Sequence, residues 1–270
     1  RFGNELTGDI DRVAGGAEGK VGDTPDIEVR IPTSVQDARE ALAGLPPGPI
    51  AIVPVFEPLT RVHFARLCGV AFAAAGGTPL YLAFRGGGSP LGDEGIELLR
   101  DVFADEDLDK LVHDVKQLVV LCSRHALTFG GAVLDTMIAS FLVDPEKCIP
   151  HKLEAVAKEY VQRGVPSLKS IVGSGQAERQ PSAVAIAETA RYAAQLADVI
   201  LALGPVLEER MEEREQTKHW NEVEHPLAYT LARMELAGIR VDSDDLEKMG
   251  KEFEARKVEI EKRIHELAGH

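Results

Sequence analysis

The chain has 270 residues, of which 44% are hydrophobic and 27% are charged, and its formal net charge is −14. These values are typical of a globular protein with one large or two small domains. The excess of acidic residues disfavours tight binding of nucleic acid by this chain alone, because such binding depends on Lys and Arg neutralising phosphates, although a local basic groove remains compatible with it.

No segment is predicted to span a membrane or to act as a signal peptide. The apolar stretch over residues 67–75 is too short to cross a bilayer, and residues 1–5 lack an apolar core. Because the sequence does not begin with Met, we expect a fragment of a longer chain. Cys68, Cys122 and Cys148 are widely spaced and form no CxxC pair, so we expect reduced structural thiols in a cytoplasmic protein.

In the first half of the chain, strands and helices are predicted to alternate. Residues 1–28 are rich in Gly, Asp and Glu and are predicted to be a linker. A capping box at Thr33–Gln36 predicts the first helix, and Gly76-Gly77 predicts a hairpin between two strands. Further helices are predicted over 92–103 and 115–124, and from the cap Asp135 to residue 142. Strands are predicted over 49–53, 67–75, 79–84, 111–113 and 128–133.

The second half is predicted to be helical, with helices over 152–160, near 168 and over 182–213. A second unit is predicted to begin near Trp220, with one helix ending at Gly238 and another capped by Ser243 and stopped by Gly269. The last helix carries an apolar stripe, whose partner lies either on the preceding helices or, as we favour, beyond the fragment. Early strands and late helices predict an α/β or α+β layer fold with a helical cap.

In residues Arg191–Asp198, Tyr192 is followed four residues later by Leu196. This segment resembles the third exonuclease motif of the bacterial DNA polymerase I family, in which the tyrosine is followed four residues later by a metal-binding aspartate. Asp135–Ala139 and His151–Ala157 resemble the segments that follow the second exonuclease motif. Residues 219–269 resemble the start of the polymerase domain, which leads into the thumb.

This resemblance covers about residues 28–270 and implies a ribonuclease H-like 3′–5′ exonuclease domain, an α/β fold with a mixed sheet flanked by helices, followed by a helical thumb segment. The implied domains are a linker over 1–28, an exonuclease-like domain over 29–215 and the start of the polymerase domain over 216–270. The parent implied is a monomeric, cytoplasmic, nucleoid-associated DNA polymerase of replication and repair. It would bind DNA as a full-length protein and use Mg²⁺ in its polymerase half, whereas this fragment is expected to bind DNA weakly and to hold no cofactor.

The family resemblance also indicates that the exonuclease site is degenerate. Two-metal hydrolysis in this family needs an Asp-x-Glu on the first strand and one aspartate in each of the other two motifs. The corresponding residues here are Val53 and Val55, Leu118, and Leu196, so we expect no metal site and no catalytic residue. A one-residue shift would place Pro54 and Phe56 at the first motif instead, and neither is a carboxylate.

Two other hypotheses remain. One is an active 3′–5′ exonuclease with the rearranged metal ligands Glu57, Asp114 and Asp198. The other is a protein-interaction module that uses the cleft or the acidic surface, for example the Glu208–Glu215 face, although that run is typical of a solvated helix face.

The remaining polar residues favour structural roles. Asp135 lies at a helix start and is predicted to be an N-cap rather than a ligand. Asp198 is predicted to be a surface charge and Tyr192 a packed aromatic residue. The three histidines His113, His125 and His151 share no metal-site spacing with acidic residues.

Overall fold

The computed structural model describes residues 26–58, 62–88, 91–131, 133–146 and 151–269. Most of the predicted linker, and Cys148, lie outside the described residues. Cys68 and Cys122 are free and buried, as expected for structural thiols. The described chain forms two compact units, one that runs to Arg233 and one that begins at Met234.

The first unit is built on a mixed five-stranded sheet with the order β3-β2-β1-β4-β5. Strands β1, β2 and β3 are antiparallel neighbours, whereas β4 runs parallel to β1 and β5 runs parallel to β4. This arrangement confirms the predicted α/β fold with a mixed sheet. The strands are β1 Ile50–Glu57, β2 Arg66–Ala74, β3 Leu80–Ala83, β4 Lys110–Val112 and β5 Val133–Asp135.

Helices cover both faces of this sheet. On one side lie the helices of the first core cluster, and on the other side α8 packs against the sheet together with α5 and α6. The helices are α1 Val35–Ala43, α2 Gly92–Glu97, α3 Leu99–Ala104, α4 Val115–Ser123, α5 Thr136–Val143, α6 Leu153–Val161, α7 Lys169–Val172, α8 Ile186–Glu213, α9 Thr217–His219, α10 His225–Ala237 and α11 Ser243–Ala268.

Alternation along β1 divides the core into two clusters. Ile50, Ile52 and Phe56 belong to the first cluster, with α1 to α4. Val53 and Val55 belong to the second cluster, with α5, α6 and α8. A strand that is apolar on both faces is typical of the centre of a sheet covered by helices, and the continuous apolar sequence of β1 predicted this position.

Some predicted boundaries were wrong. The helix predicted over 92–103 is two helices that meet at Leu98, and the predicted strand over 128–133 is displaced to β5. Gly130 explains the second difference. Its N–H donates to the Phe103 carbonyl and its carbonyl accepts from Lys110, so neither group is available for hydrogen bonds to a neighbouring strand. The caps of α1 and α11 are Ser34 and Asp242, each displaced from the predicted cap by one residue.

Helix α8 is long and apolar enough, by length and composition, to cross a membrane. The sequence expectation that no segment met this criterion was therefore wrong. Half of the apolar window of α8 is buried inside the domain, and Ala190, Ala193 and Ala197 pack against the sheet. The core helix of a globular domain passes the same test, because its buried face is made of apolar residues.

In the second unit, α11 has no buried residue. Its predicted apolar stripe, which includes Leu246, Phe253 and Ile264, is exposed. The predicted αL stop at Gly269 is confirmed, since this residue has φ 77° and its N–H donates to the His265 carbonyl at 3.0 Å.

Lys110 is fully buried at the start of β4, which the sequence pattern did not predict. Its ammonium donates to the carbonyls of Gly130 at 2.9 Å, Leu108 at 3.3 Å and Asp105. Burial lowers the pKa of Lys110, and the nearby Asp105 and Asp109 partly oppose that shift. The side chain therefore ties the loop before β4 to the loop before β5.

Replacement of Lys110 by Met should lower the free energy of unfolding by about 1–3 kcal/mol, because three partly buried carbonyls lose their charged donor. The exposed Lys158 on α6 provides a matched control, and Lys158→Met should change stability by no more than about 0.5 kcal/mol. Urea unfolding of both variants checks the difference, and equal stabilities would show that the Lys110 contacts do not hold the loops.

Candidate functional site

A cavity of about 170 Å³ lies beside the middle of β1. Val53, Leu118 and Leu196, three of the four positions predicted from the exonuclease motifs, line this cavity. They come from three elements that are far apart in sequence, namely β1, the first turns of α4 and the middle of α8. Val55 lies on the same face of β1 but is not part of the lining.

The faces of β1 favour one of the two registers considered for the first motif. Val53 and Val55 share the second core cluster, against which Leu196 also packs. Phe56 lies in the first cluster, on the opposite face of the sheet, although Pro54 lines the cavity. Because the side-chain period of a strand is two residues, only the pair at 53 and 55 faces α8 as a pair.

The cavity is mainly apolar. Val53 is 6% exposed and Leu118 is 2% exposed, so both act as core residues. The one carboxylate in the lining is that of Asp114, which has φ 71° and accepts a hydrogen bond from the Gln117 N–H at 2.9 Å as the N-cap of α4. Within the part of the chain that the structure describes, no group of three His, Cys, Asp or Glu side chains could hold a metal ion.

The three carboxylates of the rearranged-ligand hypothesis have different partners. Glu57 accepts from the Ser182 N–H at 3.2 Å, and Asp198 forms an ion pair with Arg163 at 2.7 Å. Asp114 caps α4. The ion pair of Asp198 is partly exposed, which agrees with the predicted surface charge.

Asp135 is fully buried and caps α5, as predicted. Its carboxylate accepts from the N–H groups of Met137 at 2.8 Å and Ile138 at 3.4 Å. It also accepts from Val115 at 2.6 Å and Asp114 at 3.2 Å, at the start of α4, which the sequence did not predict. Burial raises the pKa of Asp135 to about 6, against the opposing effect of these backbone donors.

Two hydroxyl–histidine contacts lie close to Asp135. His113 Nδ1 is 2.9 Å from Thr136 Oγ1, and His151 Nδ1 is 2.9 Å from Ser140 Oγ. Burial lowers the pKa of His113 to about 4, so it is neutral at pH 7. Ser140 is fully buried and its hydroxyl donates to the Met137 carbonyl at 2.7 Å, so this pair lacks the exposed hydroxyl of a nucleophilic site.

The other predicted polar residues have structural surroundings. Tyr192 packs against the second core cluster, as predicted, and burial raises its pKa to about 12. The acidic residues of the Glu208–Glu215 run are exposed, as predicted for a solvated helix face. His125 lies away from the cavity, where its Nε2 accepts from the Leu67 N–H at 3.1 Å.

Replacement of Asp135 by Ala should lower the free energy of unfolding by at least about 3 kcal/mol, because four backbone donors lose their acceptor in a buried place. Ser34→Ala removes an exposed N-cap on α1 and should lower it by only about 1 kcal/mol. Thermal or urea unfolding of both variants provides the measurement. A similar small loss in both would mean that Asp135 acts as an ordinary cap and does not join α4 to α5.

The chain is similar to known proteins over the region that contains most of this site. Residues 94–203 match the family model described as "DNA polymerase I, ribonuclease H-like domain". DNA polymerase I of Bacillus subtilis is 32% identical over 173 residues, which are 64% of this chain and 19% of that protein. The chain therefore spans about a fifth of the length of this relative.

Solved structures show the same fold. The polymerase domain of Pol1 from M. smegmatis, solved with DNA primer-template and dNTP, has a TM-score of 0.58 at 23% identity, covering 82% of this chain and 34% of that chain. Escherichia coli RNase D, an exoribonuclease involved in structured RNA processing, has a TM-score of 0.59 at 16% identity, covering 77% and 51%. The chain thus has a ribonuclease H-like exonuclease fold, and its resemblance to bacterial DNA polymerase I over the exonuclease region is confirmed.

Proposed function

We propose that this chain is part of a template-directed DNA polymerase of repair and replication, in which the exonuclease-like domain is a non-catalytic scaffold. The observation that carries the proposal is the convergence of Val53, Leu118 and Leu196 on one cavity. The family resemblance implies a metal-binding carboxylate at each of these three positions.

Metal-ion chemistry provides the physical reason. Hydrolysis by two metal ions requires several oxygen ligands, because one metal generates the nucleophile and the other stabilises the leaving oxygen. The single carboxylate of Asp114 in the lining is too little for this purpose. The residues of the chain therefore do not fit a two-metal centre at this place.

The apolar replacements are mutually consistent. In the absence of metal, clustered buried carboxylates would repel one another and lose their hydration. A fully buried Val or Leu instead stabilises the fold by about 1.5–3 kcal/mol. The cleft has been converted into core, and the domain would serve to position the polymerase domain of the parent protein.

Other parts of the proposal concern the whole protein. The parent would be a monomer that uses Mg²⁺ in its polymerase half and binds DNA as the full-length protein. It would be cytoplasmic and associated with the nucleoid. The proposed domain division is a linker over 1–28, the exonuclease-like scaffold over 29–215 and the start of the polymerase domain from 216.

A digestion assay tests the scaffold role. The purified chain, incubated with a single-stranded oligonucleotide and either Mg²⁺ or Mn²⁺, should cause no metal-dependent shortening from the 3′ end. The triple variant Glu57→Gln, Asp114→Asn, Asp198→Asn is the matched control and should behave in the same way. An exonuclease with a complete carboxylate set, run in parallel, shows that the assay works.

Shortening by the unmodified chain that EDTA abolishes and that survives repurification would contradict the proposal. If the triple variant then lost that activity, the rearranged-ligand hypothesis would be correct.

A further inference from the structure

A basic pocket of about 540 Å³ lies on the face of the sheet opposite α8. It is formed where β2 begins, where β3 ends and where α4 ends. The residues that matter for its chemistry are Phe64, Arg66, Arg85, Asp93, Arg124 and His125. A group of three arginines is notable in a chain whose net charge is −14, since the overall field would otherwise repel anions.

Two of these arginines form no ion pair within the described part of the chain. Arg66 and Arg124 are exposed, and neither forms an ion pair with a residue that the structure describes. Glu97, which also lines the pocket, pairs with Arg100 at 2.8 Å and does not neutralise them. The pocket therefore offers two guanidinium groups to an anion.

Some, but not all, of the hydrogen-bond donors of the Arg85 guanidinium have an acceptor among the described residues. Its guanidinium pairs with Asp93 at 2.6 Å, and the Asp93 side chain is itself 78% exposed. The Nε of Arg85 is buried and has no hydrogen-bond partner among the residues that the structure describes. A buried N–H donor without an acceptor raises the free energy of the unbound protein. An anion whose oxygen accepted a hydrogen bond from this nitrogen would remove that penalty, which favours binding.

His125 positions this pocket without adding charge. Its Nε2 accepts from the Leu67 N–H at 3.1 Å, which holds the end of α4 against the start of β2. Burial, and to a smaller extent Arg85, lower the pKa of His125, so the ring is neutral at pH 7. Arg66 and Arg124 are therefore kept at the same pocket by a contact between their neighbours.

Phe64 provides an aromatic surface at the same place. It lies on a 3₁₀ turn over Val62–Phe64 that packs against α4, and its side chain is 67% exposed. An exposed aromatic ring among guanidinium groups is the combination that single-stranded nucleic acids bind, because bases stack on the ring while arginines hold phosphates.

We propose that this pocket binds single-stranded nucleic acid, with Arg66, Arg85 and Arg124 holding the phosphodiester backbone and Phe64 stacking on a base. The pocket is separate from the cavity at Val53, and the proposal does not depend on the scaffold role. Metal-dependent cleavage would overturn the scaffold role alone, whereas loss of strand binding would overturn this proposal alone.

Fluorescence anisotropy of a labelled oligo(dT) strand at low salt, with the whole chain as titrant, tests the proposal. The double variant Arg66→Glu, Arg124→Glu should bind about tenfold or more weakly, and its salt slope should fall by about 1.4, as for two lost phosphate contacts. The control is Lys152→Glu, Lys158→Glu, which makes the same charge change at the N-cap and in the last turn of α6, at the opposite face of the sheet. It should change affinity by no more than about twofold.

Two further variants separate recognition from general electrostatics. Asp93→Asn removes the carboxylate that competes for Arg85 and should strengthen binding by about threefold or more. Phe64→Ala leaves the charge unchanged and should weaken binding by about fivefold or more. Of the altered side chains, only Asp93 forms an ion pair with a described residue, namely Arg85, so thermal unfolding should be unchanged in the other variants and serves as the check of folding.

Three results would overturn the proposal. The first is absence of binding by the unmodified chain at low salt. The second is an equal loss of affinity in the arginine and lysine double variants. The third is equal competition by a poly-glutamate peptide, which would show a site for anions in general.

Discussion

The structure depends on the burial of β1 between two layers of helices. One face of this strand packs against α1 to α4, and the other packs against α5, α6 and α8. In a two-metal exonuclease of this fold, the second face would carry carboxylates, and metal would be needed to compensate their mutual repulsion. With Val53 and Val55 in these places, the strand is stabilised by apolar contact with α8.

Two buried charged groups keep the surrounding loops in place. Asp135 joins the N-termini of α4 and α5 through four backbone N–H groups, and Lys110 joins the loops before β4 and β5 through three carbonyls. In each case the backbone partners compensate the loss of hydration. These contacts hold the loops around the cavity in place, which supports the proposed scaffold role.

Sequence patterns predicted the elements whose signal is local. The Gly76-Gly77 hairpin, the central position of β1 and the Asp135 cap are of this kind. Features that depend on contacts between residues distant in sequence were not predicted. One example is the displacement of β5, which follows from the hydrogen bond between Lys110 and the Gly130 carbonyl. For the site, family motifs identified positions that meet at one cavity, except Val55. The basic pocket could not be predicted, because Arg66 and Arg124 are far apart in sequence and only the fold brings them together.

The most direct test of the proposed conversion of the cleft into core is thermal unfolding of the chain with and without millimolar Mn²⁺. A metal that binds the folded state at 100 times its Kd stabilises it by about 2.7 kcal/mol, which raises Tm by several degrees. The account predicts no rise in Tm, because Val53, Leu118 and Leu196 provide no ligands. A rise of several degrees that disappears in the Asp114→Asn variant would show a metal site at the cavity and contradict the account.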